Sequence, residues 1–508
     1  MYKRKSYQLA VAGSLLACSG LAMAVDNEEN KGAGESAFHL GGYVRTWASF
    51  NLQDPPETKE NDRGDLSMLR AAVLLDADLK TGPLQWKAVG RVDREYKTSY
   101  LKRLEALGAT GGGTGIPLTE AYNQAELREF NVSFDVGDRV KFRLGRQQVV
   151  WGESDFFRAL DVVHGFDYRW RSFLEVENEE LRKPVFLANA MISVPEARGS
   201  LQVLVRPGWD RNRDIGNTYD LSGGRWANQP NKGADFLGVM NYDYRHRSGN
   251  TDDVTGGLRW SGRTPGELKY SLAYLKTYNN DPVVNTADPR FTFGSAPTGV
   301  IGDFIYPKID LLGATLSGYS ANLDAVLSTE MVYTRDAAFN VGTSPSSNVI
   351  GLPGFAGIKQ KNTFTTMLRI DKTANLAFIG TSRPSFLSFQ LFDTWILGFD
   401  RNDDIVQLAG FTAPIRKHST ILTTILAMNY MNDRINPTLA AGIDASNGGG
   451  FVIPSVEFAF GDNWRLKAEA NLFFNRGQKK PGELGGDTHL FGYFAHNDQL
   501  VFRLTRQF

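Results

Sequence analysis

The chain of 508 residues carries 56 basic and 56 acidic side chains, and its pI is about 7.0. This balance excludes the basic excess typical of nucleic-acid-binding proteins, so we expect no nucleic-acid partner. The 52 glycines, 9 tryptophans, 18 tyrosines and 32 phenylalanines stand in a chain of negative mean hydropathy. That composition suits a barrel of membrane-spanning strands, whose interfaces are aromatic and whose turns use glycine.

The first residues predict an export signal. Positions 3–5 are basic, an apolar segment too short to span a membrane covers 9–23, and Ala22-Met23-Ala24 has the pattern that signal peptidase recognises. We therefore expect a signal peptide over 1–24, cleaved after Ala24. Three of the 56 basic residues leave with it, so the mature chain 25–508 would hold 53 basic and 56 acidic residues, a net charge of −3.

Cys18 is the single cysteine and permits a second interpretation. Leu15-Leu16-Ala17-Cys18 resembles a lipobox, whose cysteine would be acylated. Leu16 fits its position in that motif poorly, and a good peptidase site follows at Ala24. If Cys18 is removed with the signal, the mature chain has no thiol, which suits an oxidising envelope.

Strands of alternating character recur along the mature chain. In Trp464–Leu472 the even positions are apolar and the odd positions are polar or charged, and 139–144 alternates three bases with Val140, Phe142 and Leu144. A soluble β-sandwich would alternate as well. Apolar faces opposed to bases on many strands favour lipid outside and water inside. We predict one all-β unit over 25–508, a transmembrane antiparallel β-barrel.

Short turns and long polar segments alternate along the chain, as in outer-membrane barrels. The predicted turns are Thr81–Pro83, Gly137–Asp138, Pro195–Arg198, Arg263–Gly266, Pro414–Lys417 and Gly461–Asn463. The predicted long segments are Asn51–Gly64, Lys97–Asn123, Trp151–Pro184, Pro207–Gly233, Asn279–Pro307, Asp336–Lys361, Met431–Gly450 and Asn475–Thr488. The count is about 18 strands, with 16 to 20 admissible. The order fails once, which a strand missed within Pro207–Gly233, or one split near Arg247–Asp252, would explain.

The last strand, Leu500–Phe508, predicts the cellular location. Leu500, Phe502 and Leu504 share one face with the final Phe508, a pattern that barrel-assembly machinery recognises. Arg506 lies on the same, lipid-facing side, where it can snorkel at the periplasmic interface. We expect residence in the outer membrane of a Gram-negative cell, in contact with its lipid and lipopolysaccharide.

After Trp151 the alternation stops, and charges mix with aromatic residues. One or two helical turns are expected over Phe157–His164, with Ser154 or Asp155 as N-cap. Such a segment is too apolar for a solvated loop and too charged for lipid, so we predict that 151–184 folds inward and constricts the lumen. Its acidic and basic end, Glu177 to Lys183, is expected to be a solvated face.

Ten residues of this loop are candidates for lining the constriction or contacting a substrate. They are Trp151, Glu153, Asp155, Phe156, Arg158, Asp161, His164, Asp167, Arg169 and Arg171. The alternative is that the loop is a structural latch, in which arginine–aspartate pairs hold the backbone and no substrate is touched.

The same region resembles a bacterial family known as domain of unknown function 1302 (DUF1302). That family joins a strand of the type G-(K/R)-Q-x-V-x-W-G to D-x-x-x-(A/V)-x-D-V-(V/I) and an F-D-Y-R-like ending. The residues in register are Gly145, Gln147, Val149, Trp151, Gly152, Asp161, Val162, Asp167, Tyr168 and Arg169. His164-Gly165 stands where the family usually has Asn-Pro.

The resemblance implies an outer-membrane protein, often encoded beside large inner-membrane exporters and a companion envelope protein. It also implies a setting in which hydrophobic compounds, steroids among them, are handled. No biochemical activity follows from it.

Three functions remain to be weighed. The leading one is an outer-membrane channel for a hydrophobic or amphipathic small molecule, within an export or uptake system. The alternative is a general diffusion porin, with Arg139, Lys141, Arg143, Arg465 and Lys467 supplying the basic side of its constriction.

An outer-membrane hydrolase is the third function. Ser154, with Glu153, Asp155 and His164 nearby, is the local constellation for it, but no Gly-x-Ser-x-Gly elbow surrounds that serine. We therefore expect no enzyme. The six histidines are dispersed, so no metal site or cofactor is expected.

Overall fold

Eighteen long strands form the architecture of this computed structural model. The structure describes residues 37–54, 58, 60–107, 117–169, 178–218, 242–243, 245–246, 249–286, 301–347, 351, 354–406, 414–475, 491, 494 and 496–508. The predicted signal peptide, its cleavage site and Cys18 lie outside these residues.

The strands alternate in direction, and we number them along the chain. They are β1 Phe38–Asn51, β2 Leu66–Thr81, β3 Leu84–Glu95, β4 Gln124–Val136, β5 Val140–Gln147, β6 Val185–Val194, β7 Gly199–Arg206, β8 Thr255–Arg263 and β9 Lys269–Tyr278. The second half comprises β10 Lys308–Ser320, β11 Ala325–Val341, β12 Gly357–Ala374, β13 Ser385–Ile396, β14 His418–Ala427, β15 Ile435–Asp444, β16 Gly450–Phe460, β17 Trp464–Phe474 and β18 Gln499–Gln507.

Short elements lie in the connections. The helices are α1 Ser99–Ala106, α2 Leu118–Tyr122 and α3 Asn178–Leu181, with 3₁₀ turns at Pro195–Ala197, Asn212–Asp214, Pro345–Ser347, Ala377–Ile379 and Arg401–Asp403. Two-residue strands occur at Tyr242–Asp243, Arg245–His246, Gly249–Asn250, Val283–Val284, Phe304–Ile305 and Ile405–Val406. Among the residues that the structure describes, no helix has the length and hydrophobicity needed to cross a bilayer.

Each strand pairs antiparallel with its neighbours in the chain, and β1 pairs with β18, from Tyr43 opposite Gln507 to Asn51 opposite Gln499. The sheet is therefore a closed barrel, which leaves no unpaired edge in the hydrocarbon. The predicted number of 18 strands is confirmed.

The structure corrects the predicted connections in two places. β7 pairs directly with β8, so no barrel strand was missed between them. The missed strand is β15, which lies within the supposed long segment Met431–Gly450. Pro437 obscures the strand pattern of β15, and Pro454 does the same in the facing strand β16. A proline within a run of residues argues against a strand there, because it cannot donate a backbone hydrogen bond.

The supposed turn Pro414–Lys417 is likewise part of the longer connection 397–417 between β13 and β14. With this change, the long connections all leave the same end of the barrel as 148–184. Apart from the five-residue turn 445–449 between β15 and β16, the short turns lie at the other end, which is the periplasmic end in such barrels.

The two faces of each strand differ as predicted. In β17 the odd residues Glu469 and Asn471 are buried toward the lumen. In β18 Phe502 points outward and packs edge-on against Phe50 of β1, with ring centroids 6.4 Å apart. Arg506 lies over the ring of Trp464, 5.6 Å from its centroid, on the outward face. Large apolar side chains thus cover the outside, where lipid is the solvent.

Candidate functional site

Residues 148–169, which we call the lumen segment, leave β5 and cross the interior of the barrel. The segment hydrogen-bonds to Gln202 of β7, Glu330 of β11 and Gln390 of β13, and it packs against Phe451 of β16. These strands lie on different sides of the closed wall. The predicted inward fold of this loop is therefore present.

The end of β5 directs the chain inward. Gly145 has a φ of 125°, and a Cβ there would lie 2.3 Å from the carbonyl oxygen of Phe130. Only glycine fits such a conformation and such a close approach. Two residues later, the buried Gln147 donates to the carbonyl of Leu187 and accepts from Asn189 of β6.

Trp151 extends this network of side-chain hydrogen bonds. Its indole Nε1 donates to Gln202 at 2.9 Å, and Gln202 donates in turn to Asn189 at 3.1 Å. A buried indole needs such a partner. Gly152 follows because a Cβ there would meet the backbone of Asp161 at 2.9 Å and the carboxylate of Glu330 at 3.0 Å.

Glu330 holds two turns of the lumen segment to the opposite wall. Its carboxylate accepts from the backbone N–H of Glu153 at 2.5 Å and from that of Leu160 at 2.8 Å. Asp155 forms an ion pair with Arg369 of β12 at 3.1 Å and accepts from Gln390 at 2.9 Å. The predicted helical turns over Phe157–His164 are absent. The N–H of Leu160, which a helix would direct to its own backbone, binds Glu330 of the wall instead.

Phenylalanines occupy the middle of the crossing. Phe156 is buried with a φ of 58°, and its ring lies 5.4 Å from that of Phe451. Phe157 packs edge-on against Phe392 of β13 at 5.9 Å and Phe491 at 6.1 Å. A bulky residue adopts a positive φ only where its surroundings impose it, so the packing here determines the backbone.

Buried polar contacts hold the second half of the lumen segment. Asp161 and Arg182 form a buried ion pair at 2.5 Å. His164 accepts from the N–H of Val149 at 2.8 Å through Nε2, and its Nδ1 lies 3.1 Å from the carbonyl oxygen of Lys183. Because both ring nitrogens are engaged by backbone, His164 is not placed to act as a base for Ser154. Burial lowers the pKa of His164 to about 3, so its ring is neutral at pH 7.

The end of the segment is fixed by charge and aromatic stacking. Burial alone would raise the pKa of the Asp167 carboxyl. Arg169 nevertheless holds that pKa below its usual range through an ion pair of 2.7 Å. The guanidinium of Arg158 lies 3.3 Å above the centre of the Phe166 ring and donates to the hydroxyl of Tyr168. Arg171, the tenth candidate, lies outside the described residues.

The returning chain docks on the wall formed by β1 to β4, where a solvated face was predicted. That prediction is wrong for Glu180, Arg182 and Lys183, which are largely buried, whereas Glu179 is exposed and Glu177 lies outside the described residues. Glu180, with a side chain 12% exposed, pairs with Arg45 at 2.9 Å and with Arg91 at 3.6 Å, and Tyr43 donates to it at 3.0 Å. The lumen-facing arginines of β1 and β3 were the missed signal, because buried arginines require acidic partners and the loop supplies Glu180.

A cavity of about 540 Å³ lies between the lumen segment and the ends of the strands from which the long connections leave. Phe156, Arg158 and Asp161 line it, together with Phe157, Phe166 and Tyr168 of the same segment. Trp151, Glu153, Asp155, His164, Asp167 and Arg169 are instead placed in the anchoring contacts described above.

Comparison with solved structures finds other barrels at low sequence identity. Acinetobacter baumannii OccAB1 aligns over 94% of this chain and 99% of that chain, with 9% identity and a TM-score of 0.45. Pseudomonas aeruginosa OccK9 (OpdG) aligns over 93% and 98%, with 11% identity and a TM-score of 0.46. Pseudomonas aeruginosa OpdK with vanillate aligns over 93% and 98%, with 9% identity and a TM-score of 0.44. A comparison with curated proteins finds no significant match.

A family described as "Protein of unknown function (DUF1302)" matches residues 6–508, nearly the whole chain. The match extends well beyond the motif of the lumen segment on which the resemblance was first based. This chain therefore belongs to the DUF1302 family of proteins.

Proposed function

We propose that the protein is a selective outer-membrane conduit for a hydrophobic or amphipathic small molecule. The observation that carries this proposal is the lumen segment, which crosses the barrel from Gln202 of β7 to Phe451 of β16, is also held by β11 and β13, and presents phenylalanines in the middle. An aromatic barrier of this kind opposes free diffusion of ions and sugars, whereas an apolar molecule can displace or pass it at lower cost.

Several parts of the proposal rest on the family resemblance and the sequence patterns alone. They are the action with an inner-membrane exporter and a companion envelope protein, the assembly by barrel-assembly machinery, and the contact with lipopolysaccharide.

Conductance in planar bilayers tests the barrier. Deleting residues 154–171 should raise single-channel conductance severalfold, because this removes the middle of the barrier while β5 and β6 stay in the barrel. Deleting Gly111–Gly115, in another long connection, is the matched control and should leave conductance unchanged. Equal conductance of the two deletions would contradict the barrier.

Liposome swelling separates the conduit from a general porin. Wild-type protein should give almost no swelling with small sugars, whereas the variant lacking 154–171 should give rapid swelling. Rapid swelling with the wild-type protein would favour the porin and overturn the proposal.

A further inference from the structure

The cavity beside the lumen segment lies on the side of the long connections, which is the external side in such barrels. Its wall uses the last residues of β9 and β13 and the first residues of β10 and β14, for example Tyr278, Ile396, Ile309 and Ser419. Its volume of about 540 Å³ falls within the range of small-molecule pockets. A compound arriving from outside therefore meets this cavity before the barrier.

Aromatic and aliphatic side chains supply most of the contact surface. The lumen segment contributes Phe156, Phe157 and Phe166, and the wall contributes Leu311, Val332, Phe392 and Ile421, with Phe494 from the last long connection. Phe157 and Phe392 contact each other edge-on at 5.9 Å. Rings arranged in this way accept a rigid apolar body by stacking and by burial of its surface.

The polar part of the lining consists largely of uncharged groups. Four threonines from three adjacent strands face the cavity: Thr334, Thr363, Thr365 and Thr394. The hydroxyls of Thr365 and Thr394 lie 3.1 Å apart in a mutual hydrogen bond. One hydroxyl donates in that bond and the other accepts, so the pair keeps one free O–H donor and free acceptor lone pairs and can bind a hydroxyl or carbonyl group of a ligand.

The charged groups of the described lining are engaged or lie at the rim. Asp161 is paired with Arg182, and Arg158 is stacked on Phe166. The rim residues are Asp281, Arg416 and His418, all exposed, and His418 bonds Asp393. A charged ligand would lose its hydration without gaining a buried counter-charge.

The lumen on the other side of the segment has the opposite character. Arg369 pairs with Asp371 at 2.7 Å, Lys467 with Glu469 at 2.9 Å and Lys87 with Asp76 at 2.7 Å. These pairs lie toward the ends of the strands joined by short turns. The segment thus lies between these ion pairs and the mostly apolar cavity.

We propose that the cavity binds a bulky, mostly apolar and uncharged molecule that carries hydroxyl or carbonyl groups. The proposal rests on the proposed function and narrows its substrate class. The aromatic rings hold the apolar body, and Thr365 and Thr394 hold a polar substituent.

Fluorescent pyrene probes test the preference with the full-length protein in lipid nanodiscs. 1-Pyrenemethanol is uncharged, 1-pyrenesulfonate is an anion and 1-pyrenemethylammonium is a cation, and all share one apolar body. Pyrenemethanol should bind at least about tenfold more tightly than either charged probe, after subtraction of empty nanodiscs. Equal or tighter binding of a charged probe would overturn the proposal.

Two variants locate the site, and a third serves as control. The double variant Thr365→Val and Thr394→Val keeps the shape but removes both hydroxyls, and it should weaken pyrenemethanol about three- to tenfold. Thr365→Trp should fill the cavity and abolish binding. Thr315→Val removes a similar hydroxyl pair with Ser271, on parts of β10 and β9 that do not line the cavity, and it should bind like the wild type. Unchanged binding in the first two variants, with the barrel intact on heat-modifiability gels, would refute the site.

The outcomes of the two sets of experiments can be told apart. If deletion of 154–171 raises conductance but pyrenemethanol does not bind, the conduit stands and the substrate class is wrong. If pyrenemethanol binds as described but wild-type protein lets sugars pass freely, the cavity stands and the selective conduit is wrong.

Discussion

His164 shows how a polar side chain of the DUF1302 motif region is used to hold the chain. Its Nε2 accepts from the N–H of Val149, so Nδ1 carries the proton that is donated to the carbonyl of Lys183. The ring thereby joins the start of the lumen segment to the chain returning toward β6. This bridge requires the neutral imidazole, because a doubly protonated ring cannot accept at Nε2.

The pKa of His164 gives the docked segment a defined pH dependence. It is about 3 in the folded protein and about 6.5 in an unfolded chain. The folded state binds fewer protons between these values, so stability is complete above about pH 6.5 and falls as the pH decreases toward 3, by up to about 1.4 kcal/mol per unit. High-conductance openings should therefore be more frequent at pH 4.5 than at pH 7 in planar bilayers. The variant His164→Gln should lose this dependence, and an equal response of the two proteins would exclude His164 as its source.

At the scale of elements, connections pack on one another inside the barrel. A Cβ on Gly165 would lie 1.9 Å from the carbonyl oxygen of Gly216, in the connection after β7. Gly216 has a φ of 63° and lies against the ring of Tyr306, in the connection after β9. The family's usual Asn-Pro is replaced by His164-Gly165 at this crossing, where no side chain fits at residue 165.

Gly165→Ala tests the crossing of these two connections. The added methyl group meets the backbone of Gly216, so the two connections must separate, at a cost of about 1–3 kcal/mol. We expect a lower free energy of unfolding in urea titrations of the protein in lipid vesicles. Gly90→Ala is the matched control, because a Cβ there meets nothing within 4 Å and its φ is not positive. An equal effect of the two substitutions would contradict the argument.

At the scale of the whole molecule, the inward loop braces the barrel across its lumen. Glu330 of β11 binds one part of the loop, and Arg45 and Arg91 of β1 and β3 bind Glu180 in another. Walls that are far apart around the ring are thus connected through a single loop. A brace of this kind stabilises the barrel, and under the proposed function it also obstructs the lumen.

Glu330→Leu should release the brace on one side. It leaves the N–H groups of Glu153 and Leu160 without this acceptor, at about 1–3 kcal/mol for the buried N–H of Leu160. We expect higher single-channel conductance and a lower unfolding temperature, with a smaller effect for Glu330→Gln, which keeps one acceptor oxygen. Asp76→Asn is the control, because Asp76 pairs with Lys87 of the neighbouring strand rather than with the loop. If Glu330→Leu behaves like the control, the brace is refuted.

The strand pattern was largely predictable, because alternation is local. A period of two along β17 and β18 reports which side chains face lipid, and even the departure at Arg506 is placed at the rim beside Trp464. β15 was missed because Pro437 broke its pattern, although the pairing with β14 begins one residue later, at Thr438. Proline is tolerated there because the ladder needs no N–H donor from it.

The motif located the candidate site but not the partners of its residues. Glu330 follows Glu153 by 177 positions and Gln390 follows Asp155 by 235, and no local pattern connects residues so far apart. The solvated face predicted for Glu180 failed for the same reason, since its arginines lie on strands that precede it by about a hundred residues.

By itself, the sequence determined that the chain is a barrel of about 18 strands with an inward loop near residue 150. Those features follow from local periodicity and from one interruption of it. Only the tertiary structure decided how the loop is held and where a cavity remains beside it. Closure of the barrel brings distant strands to one lumen, and the contacts that form there depend on the whole ring rather than on any single segment.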